Sequence, residues 1–99
     1  MKIDYVQVLT DAIAAAAAAP VAENLASRRV YILPDTEHNR GLKVAAFKLG
    51  MIYGRSVFGC NALYVGYDNA TGLEIGKADA MVSALRAAGV GCYRSTWDD

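Results

Sequence analysis

Apolar residues recur at helical spacing along residues 4–19, and Asp4 stands directly before the first of them. Asp4 can cap a helix, and Gln7 follows three residues later, the spacing of a capping box. Six consecutive alanines at positions 14–19 have the highest intrinsic helix propensity of any residue type. The pattern predicts an N-terminal helix over residues 4–19, with a kink or break at Pro20.

The rest of the chain alternates between short apolar runs and longer stretches with helical spacing. Strands are predicted at residues 29–34, within residues 57–67 and at residues 90–96, because β-branched and aromatic residues fill their centres. Helices are predicted over residues 41–53 and from the polar turn after residue 67 up to residue 88. Each of these helices is followed by a glycine that can end it.

The order strand, helix, strand, helix, strand predicts an α/β fold with a small three-stranded parallel sheet of βαβαβ order. The additional N-terminal helix would cover one face. The alternative is a ferredoxin-like βαββαβ sandwich, in which residues 73–75 form a short strand paired with the preceding one. With 99 residues we expect a single domain over residues 1–99, consisting of a helical segment (1–28) and an α/β core (29–99).

The turn between the second strand and the last helix contains the pattern D-x-x-x-G-x-E-x-G-x-A, formed by Asp68, Gly72, Glu74, Gly76 and Ala78. This pattern resembles the signature of the nucleoside 2-deoxyribosyltransferase-like proteins. The resemblance implies that Glu74 is the nucleophile that attacks the anomeric carbon of the sugar. It also implies that Asp68 is the acid/base residue at the base, and that Gly72 and Gly76 let the helix start approach the sugar.

The position of Glu74 also has a reading that involves no chemistry. Thr71 and Glu74 have the spacing of a capping box, in which each side chain binds a backbone N–H at the helix start. A carboxylate in the first turn of a helix is stabilised as an anion, which would equally suit a nucleophile. Both roles are open for Glu74 at this point.

A second polar cluster, residues 35–40, also lies between a strand and a helix. Thr36 or Asn39 could cap the helix that follows, and a binding role is equally open. In a parallel sheet this loop and the Asp68 loop would share one edge, so its side chains could contact a phosphate or sugar hydroxyl. The substrate-binding residues predicted in this way and by the resemblance are Tyr31, His38, Asn39, Arg40, Asn69, Thr71, Gly72 and Gly76.

The helix predicted at residues 41–53 is apolar on two sides. Besides the stripe that contains Leu42, it has a second stripe formed by Val44, Phe47 and Met51. We expect this second stripe to be covered by another copy of the chain.

Charge and cysteine content narrow the function classes. Ten basic and ten acidic side chains cancel, so nucleic acid and anionic membranes are disfavoured as partners. No stretch approaches the roughly 20 apolar residues that span a bilayer, and we expect a cytoplasmic protein. Cys60 and Cys92 are interpreted as buried reduced thiols, and a disulfide between them is open because it requires Cα atoms within about 7 Å. Tyr93 is placed on the opposite side of its strand from Cys92. His38 is the only histidine, so a structural zinc site is not predicted. No cofactor is predicted either.

These observations favour a nucleoside- or nucleotide-binding protein that resembles N-glycosidic-bond transferases or hydrolases. The alternative is a small non-enzymatic interaction protein, such as a phage-type inhibitor of a host protein complex. Its motivation is the short chain, the helix with two apolar sides and the absence of the family's usual insertion between residues 53 and 61. A third hypothesis is a module that binds a nucleotide without turning it over.

Overall fold

The computed structural model describes residues 2–20, 26–27, 29–55, 59–66 and 70–97, with the backbone alone at 26–27, 70–72 and 97. The helices of this part are α1 (Tyr5–Ala17), α2 (Asn39–Lys48) and α3 (Gly72–Ala87). A short 3₁₀ turn, Thr36–His38, precedes α2. The strands are β1 (Ala26–Ser27), β2 (Arg29–Pro34), β3 (Tyr53–Arg55), β4 (Asn61–Gly66), β5 (Ala70–Thr71) and β6 (Cys92–Trp97).

The main sheet has four strands in the order β3-β4-β2-β6, and every neighbouring pair is antiparallel. Ile32 in the central strand lies opposite Leu63 of β4 on one side and Arg94 of β6 on the other. β1 and β5 form a separate antiparallel pair. The prediction of a three-stranded parallel βαβαβ sheet is therefore wrong.

The end of α2 explains this difference. The helix was expected to continue to residue 53, but Gly50 adopts φ +75° and the Met51 N–H donates to the Ala46 carbonyl at 2.9 Å. This is the hydrogen bond of a left-handed glycine cap. The chain can then form β3 and return through β4 as a hairpin, so β4 runs antiparallel to β2.

The hairpin proposed in the alternative fold is also wrong, because residues 73–75 belong to α3. Without the two-residue strand β5, which belongs to the separate pair with β1, the elements from β2 onwards nevertheless run strand, helix, strand, strand, helix, strand. That is the element order of a ferredoxin-like sandwich, produced here by the β3–β4 hairpin.

The three helices cover one face of the sheet. Val30, Ile32 and Leu63 point to this side and are packed with Leu9 of α1 and Leu85 of α3 in the main core. The α1 helix packs against both α2 and α3. Tyr31, Leu33 and Ala62 form a second, smaller buried cluster on the opposite face.

The prediction of the N-terminal helix is confirmed, although the helix ends at Ala17. Asp4 caps it by accepting a 3.1 Å hydrogen bond from the Gln7 N–H. The Gln7 side chain binds Asp11 instead of completing the capping box. None of the helices in the described residues is both long and apolar enough to span a membrane.

Candidate functional site

The antiparallel sheet separates the two polar loops that were expected to meet. Gly66 at the end of β4 lies beside Val30 at the start of β2, so the loop after Gly66 is at the opposite end from Pro34. At about 3.4 Å per residue, these two ends of β2 are about 14 Å apart. The structure therefore does not bring His38, Asn39 and Arg40 together with Glu74, and the expected shared edge is wrong.

Glu74 is the third residue of α3 and is half-buried, and Thr71 directly precedes the helix. These are the positions that a capping box requires. Asp68, Asn69 and the side chain of Thr71 lie outside the described residues. The pairing of a nucleophile with an acid/base residue therefore stays a prediction.

The glycines and the alanine of the motif lie at the start and along the packed side of α3. Gly72 is the first residue of the helix, while Gly76 and Ala78 are buried within it. Small residues at such positions let a helix approach its neighbours closely. This accounts for Gly76 and Ala78 without a bound sugar.

His38 and Tyr31 are both buried, and Tyr31 lies on the sheet face opposite the helices. His38 Nδ1 lies 2.8 Å from Tyr5 Oη, a hydrogen bond that ties the start of α2 to α1. Tyr31 is fully buried against Tyr64, with ring centroids 4.8 Å apart and an interplanar angle of 84°. Arg40, in contrast, is exposed on α2. These three predicted substrate contacts therefore do not form one site.

A pocket of about 320 Å³ lies where β2 ends. Two of its walls follow from the antiparallel register. Leu33 pairs with Tyr93 across the β2–β6 ladder, and opposite residues of a ladder point to the same face. The start of β4 and the turn before α2 supply the other walls. Its lining residues are Leu33, Pro34, Thr36, Asn39, Gly59, Cys60, Asn61 and Tyr93.

Asn39 is held in a fixed orientation at this pocket. Its Oδ1 accepts a 2.6 Å hydrogen bond from the Tyr53 hydroxyl. Burial raises the pKa of Tyr53 to about 12, so this hydroxyl is protonated and donates at neutral pH. In the described part of the chain, the Asn39 amide nitrogen donates to no protein acceptor. It therefore keeps two N–H donors for a ligand.

Neither Thr36 nor Asn39 is the N-cap of a helix, so the N-cap role proposed for them is wrong. Asp35 precedes the 3₁₀ turn and His38 precedes α2, and neither side chain makes a capping hydrogen bond. The turn is held instead through its backbone, where the Asp35 N–H donates to the Gly91 carbonyl at 2.9 Å.

Among the pocket residues that sequence reasoning missed are Cys60, Asn61 and Tyr93. Tyr93 is 53 % exposed and its ring forms one wall. The alternation in the last strand did place Tyr93 on the side away from Cys92, which is an available sign of an exposed aromatic. Nothing in the sequence near Asn61 indicated that it would lie close to Asn39.

The two cysteines have different environments. Both are in the thiol form, with Cys60 exposed and Cys92 buried. The prediction of buried thiols is thus confirmed for Cys92 and wrong for Cys60. Within the described residues, no group of three or more His, Cys, Asp or Glu side chains is placed to hold a metal ion.

No protein-family model, curated protein or solved structure matches this chain. The resemblance to the nucleoside 2-deoxyribosyltransferase-like proteins therefore stays a prediction.

Proposed function

We propose that this protein binds a neutral nucleobase or nucleoside, without turning it over, in the pocket at the end of β2. The observation that carries the proposal is the position of two carboxamides, Asn39 and Asn61, in one pocket with the exposed ring of Tyr93. The proposal keeps the nucleoside ligand expected from the sequence but moves it to a different site.

The chemistry of these three side chains suits a base. A carboxamide presents a donor and an acceptor side by side, the arrangement with which asparagine pairs to the edge of adenine. An accessible tyrosine ring can stack on the face of a base, an interaction of about 1–3 kcal/mol. A volume of about 320 Å³ is at the small end for ligand pockets and suits a small planar molecule.

The charge of the pocket favours a ligand without phosphate. Among the described residues that line it, none carries a charge. Arginine and lysine are the side chains that usually bind phosphate groups, and the described lining contains neither. We therefore expect a nucleoside to bind at least as tightly as its monophosphate.

The same lining argues against turnover at this site. Cleavage of an N-glycosidic bond by the expected mechanism needs a carboxylate at the sugar, and Glu74 lies at the other end of the sheet. The test is a base-release assay with pooled deoxynucleosides, in which no base should appear. Base release that is lost in Glu74→Gln would overturn the non-catalytic proposal and favour the glycosidic enzyme.

Binding is tested by titrating the protein with adenosine, guanosine, cytidine and uridine and recording amide chemical shifts. At least one nucleoside should cause saturable shifts at Leu33, Asn61 and Tyr93. Asn39→Ala and Asn61→Ala should each weaken binding, and Tyr93→Ala should weaken it more than Tyr93→Phe, which keeps the ring. The proposal fails if no nucleoside or free base gives saturable shifts at the pocket.

A second candidate function is protein interaction through α2. Phe47 is 61 % exposed and Val44 is 48 % exposed, and they lie one turn apart on the outer side of this helix. Met51, expected in the same stripe, is half-buried and is not part of this exposed surface. Because the net charge is zero, a second copy of the chain would meet little overall electrostatic repulsion at this surface.

A further inference from the structure

A second pocket, of about 260 Å³, lies on the helix side of the sheet. Its lining residues are Ile13, Ala16 and Ala17 of α1, Lys77 and Met81 of α3, and Met51 and Val65. Val65 directly precedes the last residue of β4, so this pocket is at the opposite end of the sheet from the pocket that contains Asn39 and Asn61. It is an independent site, and nothing in the nucleoside proposal depends on it.

The alanine run in α1 explains why space is left there. Earlier in α1, the large side chain of Leu9 is fully buried in the main core. At Ala16 and Ala17 the side chains end at Cβ, although α1 still packs against α3. The gap between the helices is then bordered by Met51 and Met81, whose flexible thioether chains adapt to ligands of different shape.

Lys77 gives this apolar pocket a charge at one side. Among the described residues of the lining it is the only charged one, and it is half-buried. A lysine in such a position lays its methylene chain on the apolar wall and keeps its ammonium group at the water. Within the described part of the chain, this ammonium makes no ion pair. The pocket therefore combines an apolar interior with an uncompensated positive charge at its mouth.

We propose that this pocket binds the alkyl chain of a medium-chain carboxylate, with the carboxylate paired to Lys77. An apolar cavity of about 150 Å³ holds a benzene ring, which is about 25 Å³ per carbon. A pocket of about 260 Å³ would then hold about eight to ten carbons of a single chain. A two-chain lipid is too large for it, and a neutral chain would leave the ammonium without a partner.

The test uses octanoate, kept below the concentration at which it forms micelles, and follows the methyl signals of Met51 and Met81 by NMR. Octanoate should shift both signals saturably, and 1-octanol, which lacks the carboxylate, should bind at least fivefold more weakly. Lys77→Gln should weaken octanoate binding about fivefold, the range of a partly exposed ion pair. Lys43→Gln, a matched change at an exposed lysine of α2, should have no effect.

Filling the pocket supplies an independent check of its location. Ala17→Leu should abolish octanoate binding, whereas Ala14→Leu, at an exposed position of α1 outside the lining, should leave it intact. Both variants should unfold at temperatures close to that of the wild type, and this result would show that the fold is retained.

Three results would overturn the proposal. The first is the absence of saturable methyl shifts with octanoate in the wild type. The second is unchanged octanoate binding in Ala17→Leu, because the ligand would then lie elsewhere. The third is equal affinity for octanoate and 1-octanol, which would exclude recognition of the carboxylate by Lys77.

Discussion

The Tyr53 hydroxyl donates a 2.6 Å hydrogen bond to Asn39 Oδ1 and thereby joins β3 to the first residue of α2. Tyr53→Phe removes the donor and leaves the Asn39 carboxamide free to rotate. We expect a loss of about 0.5–1.5 kcal/mol in the free energy of unfolding, the net value of one such bond. We also expect weaker nucleoside binding, although Tyr53 is not part of the pocket wall. Urea unfolding and the nucleoside titration measure the two effects, and unchanged affinity would show that the orientation of Asn39 is not important.

Gly41 lies against the ring of Tyr5, which is in turn hydrogen-bonded to His38. A Cβ atom at Gly41 would overlap two ring carbons of Tyr5, so the ring would have to move. We expect Gly41→Ala to lower the free energy of unfolding by about 1–3 kcal/mol, the usual cost of overpacking. Gly54→Ala is the control, because no atom of the described residues lies within 4 Å of the added Cβ there. Equal stability of the two variants, measured by urea unfolding, would contradict the close contact.

The two thiols should differ in reactivity in the folded protein. Cys60 is exposed, whereas burial covers Cys92 and raises its pKa to about 11. Because the thiolate is the reactive form, iodoacetamide at pH 8 should modify Cys60 and leave Cys92 largely unmodified. Peptide mass spectrometry locates the label, and denaturant should expose both sites. Equal labelling of both residues in the native state would show that Cys92 is accessible.

The raised pKa of Cys92 also predicts a loss of stability at alkaline pH. Its pKa rises from 9.0 to about 11 on folding, so the unfolded chain loses this proton at a lower pH than the native protein. The thiol therefore contributes stability that is fully present below about pH 9 and is lost as the pH rises towards about 11. Urea unfolding at a series of pH values should show this decline. It should be smaller in Cys92→Ala and unchanged in Cys60→Ala.

The exposed side of α2 gives a prediction for self-association. Phe47→Glu should shift the protein towards the monomer in sedimentation velocity, because it places a charge in the apolar surface of Val44 and Phe47. Lys48→Glu changes the charge at the neighbouring position and should have a weaker effect. A wild-type protein that is monomeric at all concentrations would rule out this interface between copies.

Much of the local structure could be predicted because its signals are local. Asp4 stands directly before a run with helical spacing, and it caps α1 as that position indicates. The alternation along β6 places Cys92 towards the core and Tyr93 towards solvent. Gly89 adopts φ +90° after α3, as expected for a glycine that ends a helix.

The direction of the strands could not be predicted in the same way. Tyr53 fits both the apolar stripe of a longer α2 and a short strand, since three residues are too few to show a period of two. Both Gly50 and Gly54 could have ended the helix, and only the structure shows that Gly50 does so. That choice creates β3 and makes the sheet antiparallel.

The residues of the candidate site depend on contacts that are distant in sequence. Asn39 was expected to bind a ligand through a shared parallel edge, and the reason was wrong although the residue lines a pocket. Its neighbours Asn61 and Tyr93 are placed beside it by the pairing of β2 with β4 and β6. His38 was expected to be accessible, and its burial depends on Tyr5, 33 residues away.

The central strand, β2, pairs only with strands that come later in the chain: β4 at residues 61–66 and β6 at residues 92–97. During synthesis on the ribosome, the apolar residues of β2 are made before either partner strand. One edge is closed when the β3–β4 hairpin has emerged, and the other stays open until residues 92–97 are released. The sheet therefore cannot be completed before β6 is available, and pairing between the open β2 edges of neighbouring nascent chains is the reaction that competes with folding.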